Sequence, residues 1–137
     1  MTNERVNMPP KALSGVVVLV ATNKTVADMI AQALRSQDAE VRNAEEPGEI
    51  RAILAKGGVD VVLVSWLRFG QEAGTQVRAL GDDSPKLIII SGGVTEGDIR
   101  AAGVRYDAFR PTTTTHLTVT DIIKVVCDVL GRAVPEE

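Results

Sequence analysis

Residue types that commonly carry chemistry are few in this 137-residue sequence, and they lie far apart. Cys127 and His116 are the only residues of their kinds, and a lone thiol or imidazole does not make a zinc site. The pair Asp82-Asp83, followed by Pro85, is typical of a turn. Ser65 has no activating base nearby in sequence and lacks the flanking glycines of a nucleophile elbow. These patterns predict no catalysis.

Composition and missing motifs exclude further classes of function. A formal net charge of -3 and an aromatic content of 3% argue against a nucleic-acid partner. There is no phosphate loop or dinucleotide fingerprint, and Ser91-Gly92-Gly93 is too short to replace one. No apolar run approaches the roughly 18–20 residues that span a bilayer, and the start lacks a secretory signal. We expect a cytoplasmic, non-enzymatic protein with no cofactor and no membrane insertion.

Five short apolar runs alternate with helical patterns. They lie at 16–20, 40–42, 61–64, 87–90 and 107–109, and the second and fifth are more polar, as suits edge strands. This alternation predicts an α/β, flavodoxin-like (βα)5 three-layer sandwich. Right-handed crossovers favour a parallel sheet of order 2-1-3-4-5.

Capping signals mark the predicted helices. Thr22 or Asn23 suits the start of the first helix, and Pro47 suits the first turn of the second. The third helix is weakly marked at 74–80. Thr95 and Thr118 each precede an aspartate by three residues, a variant of the capping box. We expect a flexible segment at 1–14, one domain at 15–131, and a tail or linker start at 132–137.

Four stretches resemble, in order and spacing, the receiver domains of response regulators, including chemotaxis receivers. They are VVLVATNKTV at 17–26, VDVVLVSW at 59–66 with Gly70 following, IIISG at 88–92, and AG at 102–103 with FRP at 109–111. The resemblance covers roughly residues 15–131. It implies the flavodoxin-like fold and a role in bacterial signal transduction.

The residues that a receiver uses for phosphorylation are changed here. The resemblance places Ala21 and Thr22 at the acidic pair, Ser65 at the phosphoacceptor aspartate, Ser91 at the hydroxyl position and Arg110 at the lysine. Magnesium prefers carboxylate ligands, so we expect no magnesium and no aspartyl-phosphate chemistry. The resemblance therefore implies a degenerate pseudo-receiver. Whether its altered pocket holds an anion or another small ligand stays open.

Aromatic side chains point to a possible interaction surface. Trp66, Phe69, Tyr106 and Phe109 fall within a few residues of the altered third- and fifth-strand ends, where they could form an apolar rim. The resemblance places Asp107 at the position of the fifth strand where receivers carry a switch aromatic residue. We therefore do not expect the family's coupling of phosphorylation to the rotation of an aromatic side chain. The resemblance also implies a second possible interaction surface, which is the face formed by the fourth helix, the fifth strand and the fifth helix.

The function expected from these observations is phosphorylation-independent binding of a protein partner or homodimerisation. One alternative is the N-terminal localisation domain of a longer ATPase of pilus assembly or cell polarity. An alternative of another class is a small-ligand-binding flavodoxin-like protein or an enzyme that uses the crevice of the fold.

Overall fold

The computed structural model describes residues 12–81, 84–92, 95–111 and 118–132. Its centre is a parallel sheet of five strands in the order β2-β1-β3-β4-β5. The strands are β1 (Val17–Ala21), β2 (Glu40–Asn43), β3 (Val61–Ser65), β4 (Lys86–Ser91) and β5 (Ala108–Pro111). The predicted flavodoxin-like fold and strand order are confirmed.

Helices connect the strands and cover both faces of the sheet. They are α1 (Lys24–Arg35), α2 (Pro47–Ala55), α3 (Gln71–Ala79), α4 (Glu96–Ala101) and α5 (Val119–Leu130). A π-helical segment (Trp66–Gly70), which the sequence pattern did not predict, leads from β3 directly into α3. The third helix therefore begins three residues earlier than the expected 74–80.

The central strands are apolar on both faces because both faces are covered. Val18 and Val20 of β1 join one core cluster, with residues of α1 and α5. Leu19 and Ala21 join a second cluster, with residues of α2, α3 and α4. Successive side chains of a strand point to opposite faces of the sheet. A parallel sheet covered on both sides therefore needs apolar residues on both faces of its central strands.

The helix starts follow the capping signals. The Asn23 side chain accepts a hydrogen bond from the backbone N–H of Val26 at 3.0 Å, and Pro47 is the first residue of α2. The hydroxyl groups of Thr95 and Thr118 each accept from the backbone N–H three residues on. These side chains satisfy N–H groups that a helix start leaves without partners.

The domain extends beyond the expected 15–131 at both ends. Leu13 is fully buried in the first core cluster, and its backbone N–H donates to Gln37 O at 3.1 Å. Arg132 donates to the carbonyl groups of Ala12 and Ser14 at 3.1 and 3.2 Å. The expectation of a flexible segment is thus wrong for residues 12–14, and residue 132 belongs to the fold.

Some expectations concern residues outside those described. These are the remainder of the two terminal segments (1–11 and 133–137), the Asp82-Asp83 turn and His116. Within the part of the chain that the structure describes, we find no helix with the length and apolar character needed to cross a membrane.

Candidate functional site

The carboxyl ends of three neighbouring strands meet at one edge of the sheet. Ala21 of β1 pairs with Val64 of β3, so Thr22 and Ser65 follow at the ends of adjacent strands. Ser65 in turn pairs with Ile90 of β4, which is the residue before Ser91. The register therefore brings the four predicted site residues of these strands to one edge, where open α/β sheets bind ligands.

This edge is mostly buried and offers hydroxyl groups. Ala21, Thr22 and Ser91 are 0%, 7% and 5% exposed, whereas Ser65 is half-buried. Ser65 is the residue before the π-helical segment, but its side chain makes no capping hydrogen bond to it. Serine and threonine hydroxyl groups can donate or accept a hydrogen bond but carry no charge.

The donor set at this edge does not fit a magnesium ion. Ala21, Thr22 and Ser65 supply no carboxylate, and Mg²⁺ is held in proteins by carboxylates with water or phosphate oxygens. Across residues 12–81, 84–92, 95–111 and 118–132, no three side chains of His, Cys, Asp or Glu are grouped to hold a metal. The described side chains at this edge therefore offer no carboxylate ligand for a hard divalent cation.

Arg110, the expected cation of the pocket, makes its described contacts elsewhere. Its guanidinium donates to the Phe109 carbonyl at 2.8 Å and lines a surface cavity together with Asp128 of α5. The pKa of Asp121 is lowered, first by the backbone N–H and hydroxyl of Thr118 and, more weakly, by nearby cations that include Arg110. Arg110 therefore lies at the cavity that residues of α5 help to line.

Two of the predicted aromatic residues differ sharply in exposure. Phe69 is 1% exposed and belongs to the second core cluster, so its expected place in a surface rim is wrong. Phe69 lies within the π-helical segment, on the side of that segment that faces the core. Trp66 is half-buried and its ring lies over Gly70, where a methyl group would overlap it.

Tyr106 joins the segment before β5 to α4. Its hydroxyl donates to Glu96 Oε2 at 2.5 Å and accepts from Arg100 Nε at 3.2 Å. Arg100 also pairs with Glu96 at 3.4 Å. Burial, and next the hydrogen bond to the Glu96 carboxylate, raise the pKa of Tyr106. Sequence reasoning missed this network, although the four-residue spacing of Glu96 and Arg100 is a signal for the ion pair.

Asp107 has a structural role at the edge of the sheet. Its carboxylate accepts from the backbone N–H of Leu87 at 2.7 Å, and its own N–H donates to the Leu87 carbonyl at 2.7 Å. These two hydrogen bonds start the pairing of β4 with β5. An aromatic side chain at this position would remove the first of them.

The α4–β5–α5 face contains a surface cavity of about 480 Å³. Half-buried aromatic and aliphatic side chains form part of its wall, and charged groups of both signs surround them. The lining includes Tyr106, Phe109, Val129, Arg110, Glu96 and Asp128. An apolar centre with a charged edge is the usual anatomy of a protein interface.

Cys127 lies in the first core cluster and is fully buried. Burial raises the pKa of its thiol, which disfavours the reactive thiolate. It acts as a small apolar core residue.

Comparisons with solved structures identify the fold. A response regulator receiver protein from Burkholderia phymatum matches with a TM-score of 0.68 and 24% identity over 88% of this chain and 99% of that one. The chemotaxis response regulator CheY4 of Vibrio cholerae matches with a TM-score of 0.73 and 16% identity over 85% and 99% of the two chains.

A third similar structure comes from a complex. The receiver domain of Ssk1 from Saccharomyces cerevisiae, crystallised with the histidine phosphotransfer protein Ypd1, matches with a TM-score of 0.71 and 13% identity over 86% and 90% of the chains. No protein-family model and no curated protein sequence matches this chain. The chain therefore has the fold of response regulator receiver domains, with five parallel strands in the order found above.

Proposed function

We propose that this chain is a receiver-like domain of bacterial signal transduction that works without phosphorylation, by contact with a protein partner or a second copy of itself. The observation that carries this proposal is the set of side chains at the paired ends of β1 and β3. Ala21, Thr22 and Ser65 stand there, and none is a carboxylate. We also propose that it works in the cytoplasm.

The chemistry argues against phosphoryl transfer at this edge. Negative charge on a transferring phosphoryl group must be neutralised, and metal ions commonly supply much of that stabilisation. The hydroxyl groups of Thr22 and Ser65 carry no charge that would hold such a metal. A serine nucleophile would also need a neighbouring base, and none of the residues around Ser65 in sequence is one.

The α4–β5–α5 face is the interaction surface that the contacts favour. Since Phe69 is interior, Tyr106 and Phe109 are the aromatic residues that line a cavity on this face. Tyrosine is enriched among the residues that dominate binding energy, particularly where it is surrounded by groups that exclude water. The yeast Ssk1 receiver domain in complex with Ypd1 is an example of this fold bound to another protein.

The absence of phosphorylation is tested with a small phosphodonor. The purified chain is incubated with acetyl phosphate and Mg²⁺, and its intact mass is measured beside a phosphorylatable receiver domain as a positive control. We expect the mass of this chain to stay unchanged while the control gains a phosphoryl group. A phosphoryl adduct that a Ser65→Ala variant fails to form would contradict the proposal.

The interaction surface is tested by photo-crosslinking in cells. A photoreactive phenylalanine derivative is placed at Val129, which lines the cavity, or at Val119, which is 47% exposed on the same helix. We expect covalent adducts, to a partner or a second copy, from position 129 and few from position 119. Adducts from position 119 alone, or from neither position, would refute this choice of face.

A further inference from the structure

A groove runs between α3 and the segment that joins α4 to β5. Two surface cavities, of about 450 and 300 Å³, open along this groove, and Gly74 and Arg78 of α3 line both of them. The Cβ atom of an alanine at position 74 would lie 2.9 Å from Val104 Cγ1, so the helix and the segment approach closely there. The two cavities therefore belong to one groove, with Gly74 and Arg78 as their shared wall.

The larger cavity has an apolar floor. Val77, Pro85 and Leu87 line it, and all three are buried. Leu80, which directly precedes Gly81 of the lining, is 39% exposed and is one of two large apolar residues that are exposed in the described part of the chain. Apolar surface at the centre of a patch, with polar groups around it, is the anatomy of a contact with another protein.

Two arginine residues, Arg78 and Arg105, line the larger cavity. Arg78 donates to the Gly103 carbonyl oxygen at 2.8 Å, which fixes its side chain across the groove, and its guanidinium keeps further N–H groups for a ligand. Arg105 is exposed and makes no ion pair with another described residue. Asp107 also lines the cavity, but its carboxylate already accepts from the Leu87 N–H at 2.7 Å. Among the described residues, the charge offered to a ligand is therefore mainly positive.

Arginine side chains bind carboxylates through two parallel N–H groups, and arginine is enriched among the residues that dominate binding energy. We infer that this groove docks an acidic peptide segment of a partner protein, with a carboxylate at Arg78 or Arg105 and an apolar side chain over the floor. A nucleic-acid strand would satisfy the arginine residues but would leave the apolar floor unused. The groove is a second contact surface, so the inference does not rest on the α4–β5–α5 face being an interface.

Peptide display on the whole chain tests the chemistry of the ligand. We expect selection from a random library to enrich peptides that combine aspartate or glutamate with a large apolar residue. A synthetic peptide of the enriched sequence should saturably shift the amides of Gly74, Arg78 and Val104 in an NMR titration, whereas a short single-stranded DNA should not. Failure to select a peptide, selection without acidic residues, shifts confined to other amides, or shifts of these three amides by the DNA would overturn the inference.

Charge reversal separates docking from effects on folding. Arg105→Glu, at an exposed position, should weaken binding of the acidic peptide about tenfold or more, because a hydrogen bond between charged groups is replaced by repulsion. Arg51→Glu, on the exposed side of α2, is the matched control and should leave the affinity unchanged. Asp82→Asn combined with Asp83→Asn should not weaken binding, because these changes only remove negative charge. Unchanged affinity in Arg105→Glu, or an equal loss in Arg51→Glu, would overturn the inference.

Discussion

Replacing Phe69 by alanine should strongly destabilise the domain. The side chain is 1% exposed within the core cluster between the sheet and α2, α3 and α4. Burial of a phenylalanine removes about 150 Å² or more from water. At about 25 cal/mol per Å² this corresponds to about 4 kcal/mol. Measured Phe→Ala costs in protein cores are about 3–5 kcal/mol.

Urea unfolding followed by circular dichroism gives the measurement. With a denaturant slope of about 2 kcal/mol per M, Phe69→Ala should lower the midpoint by about 2 M. Phe109→Ala is the matched control, because Phe109 is only half-buried and should cost about half as much. A loss below about 1 kcal/mol in Phe69→Ala, or a larger loss in Phe109→Ala, would refute the interior placement of Phe69.

Three further changes test local features. Gly70→Ala should cost about 1–3 kcal/mol because a methyl group overlaps the Trp66 ring, whereas Gly48→Ala, with open space around it, should not destabilise. Thr118→Ala should cost about 1 kcal/mol through loss of the α5 cap, measured by thermal unfolding. The lowered pKa of Asp121 means that its stabilisation is complete above the unfolded value of about 3.9 and is lost as the pH falls below it. Asp121→Asn should therefore flatten the acid limb of the stability curve, and an unchanged limb would contradict this.

The parts of the fold that were predictable depend on local patterns. The apolar runs of β1, β3 and β4 are buried on both faces, which is a property that the sequence displays directly. The capping residues Asn23, Thr95 and Thr118 act within one helical turn, so their partners lie three residues away in sequence.

The missed features depend on tertiary contacts. Phe69 is buried because a π-helical segment joins β3 to α3, and no simple period in the sequence marks such a segment. Leu13 follows a polar, proline-containing start, yet it is buried in the core cluster that includes residues of α1 and α5. Arg110 has a long side chain, and only the folded structure shows that it lines the same surface cavity as Asp128 of α5.

The proposal that this chain lacks receiver chemistry is tested most directly by an amide NMR titration with Mg²⁺ and the phosphoryl analogue beryllofluoride. A variant that combines Ala21→Asp, Thr22→Asp and Ser65→Asp restores carboxylates at the ends of β1 and β3 and serves as the comparison. We predict that the amides around Ser65 and Ser91 in the unmodified chain stay unshifted, while the variant gains saturable Mg²⁺ binding. Saturable shifts across the strand ends and the α4–β5–α5 face of the unmodified chain would contradict the account.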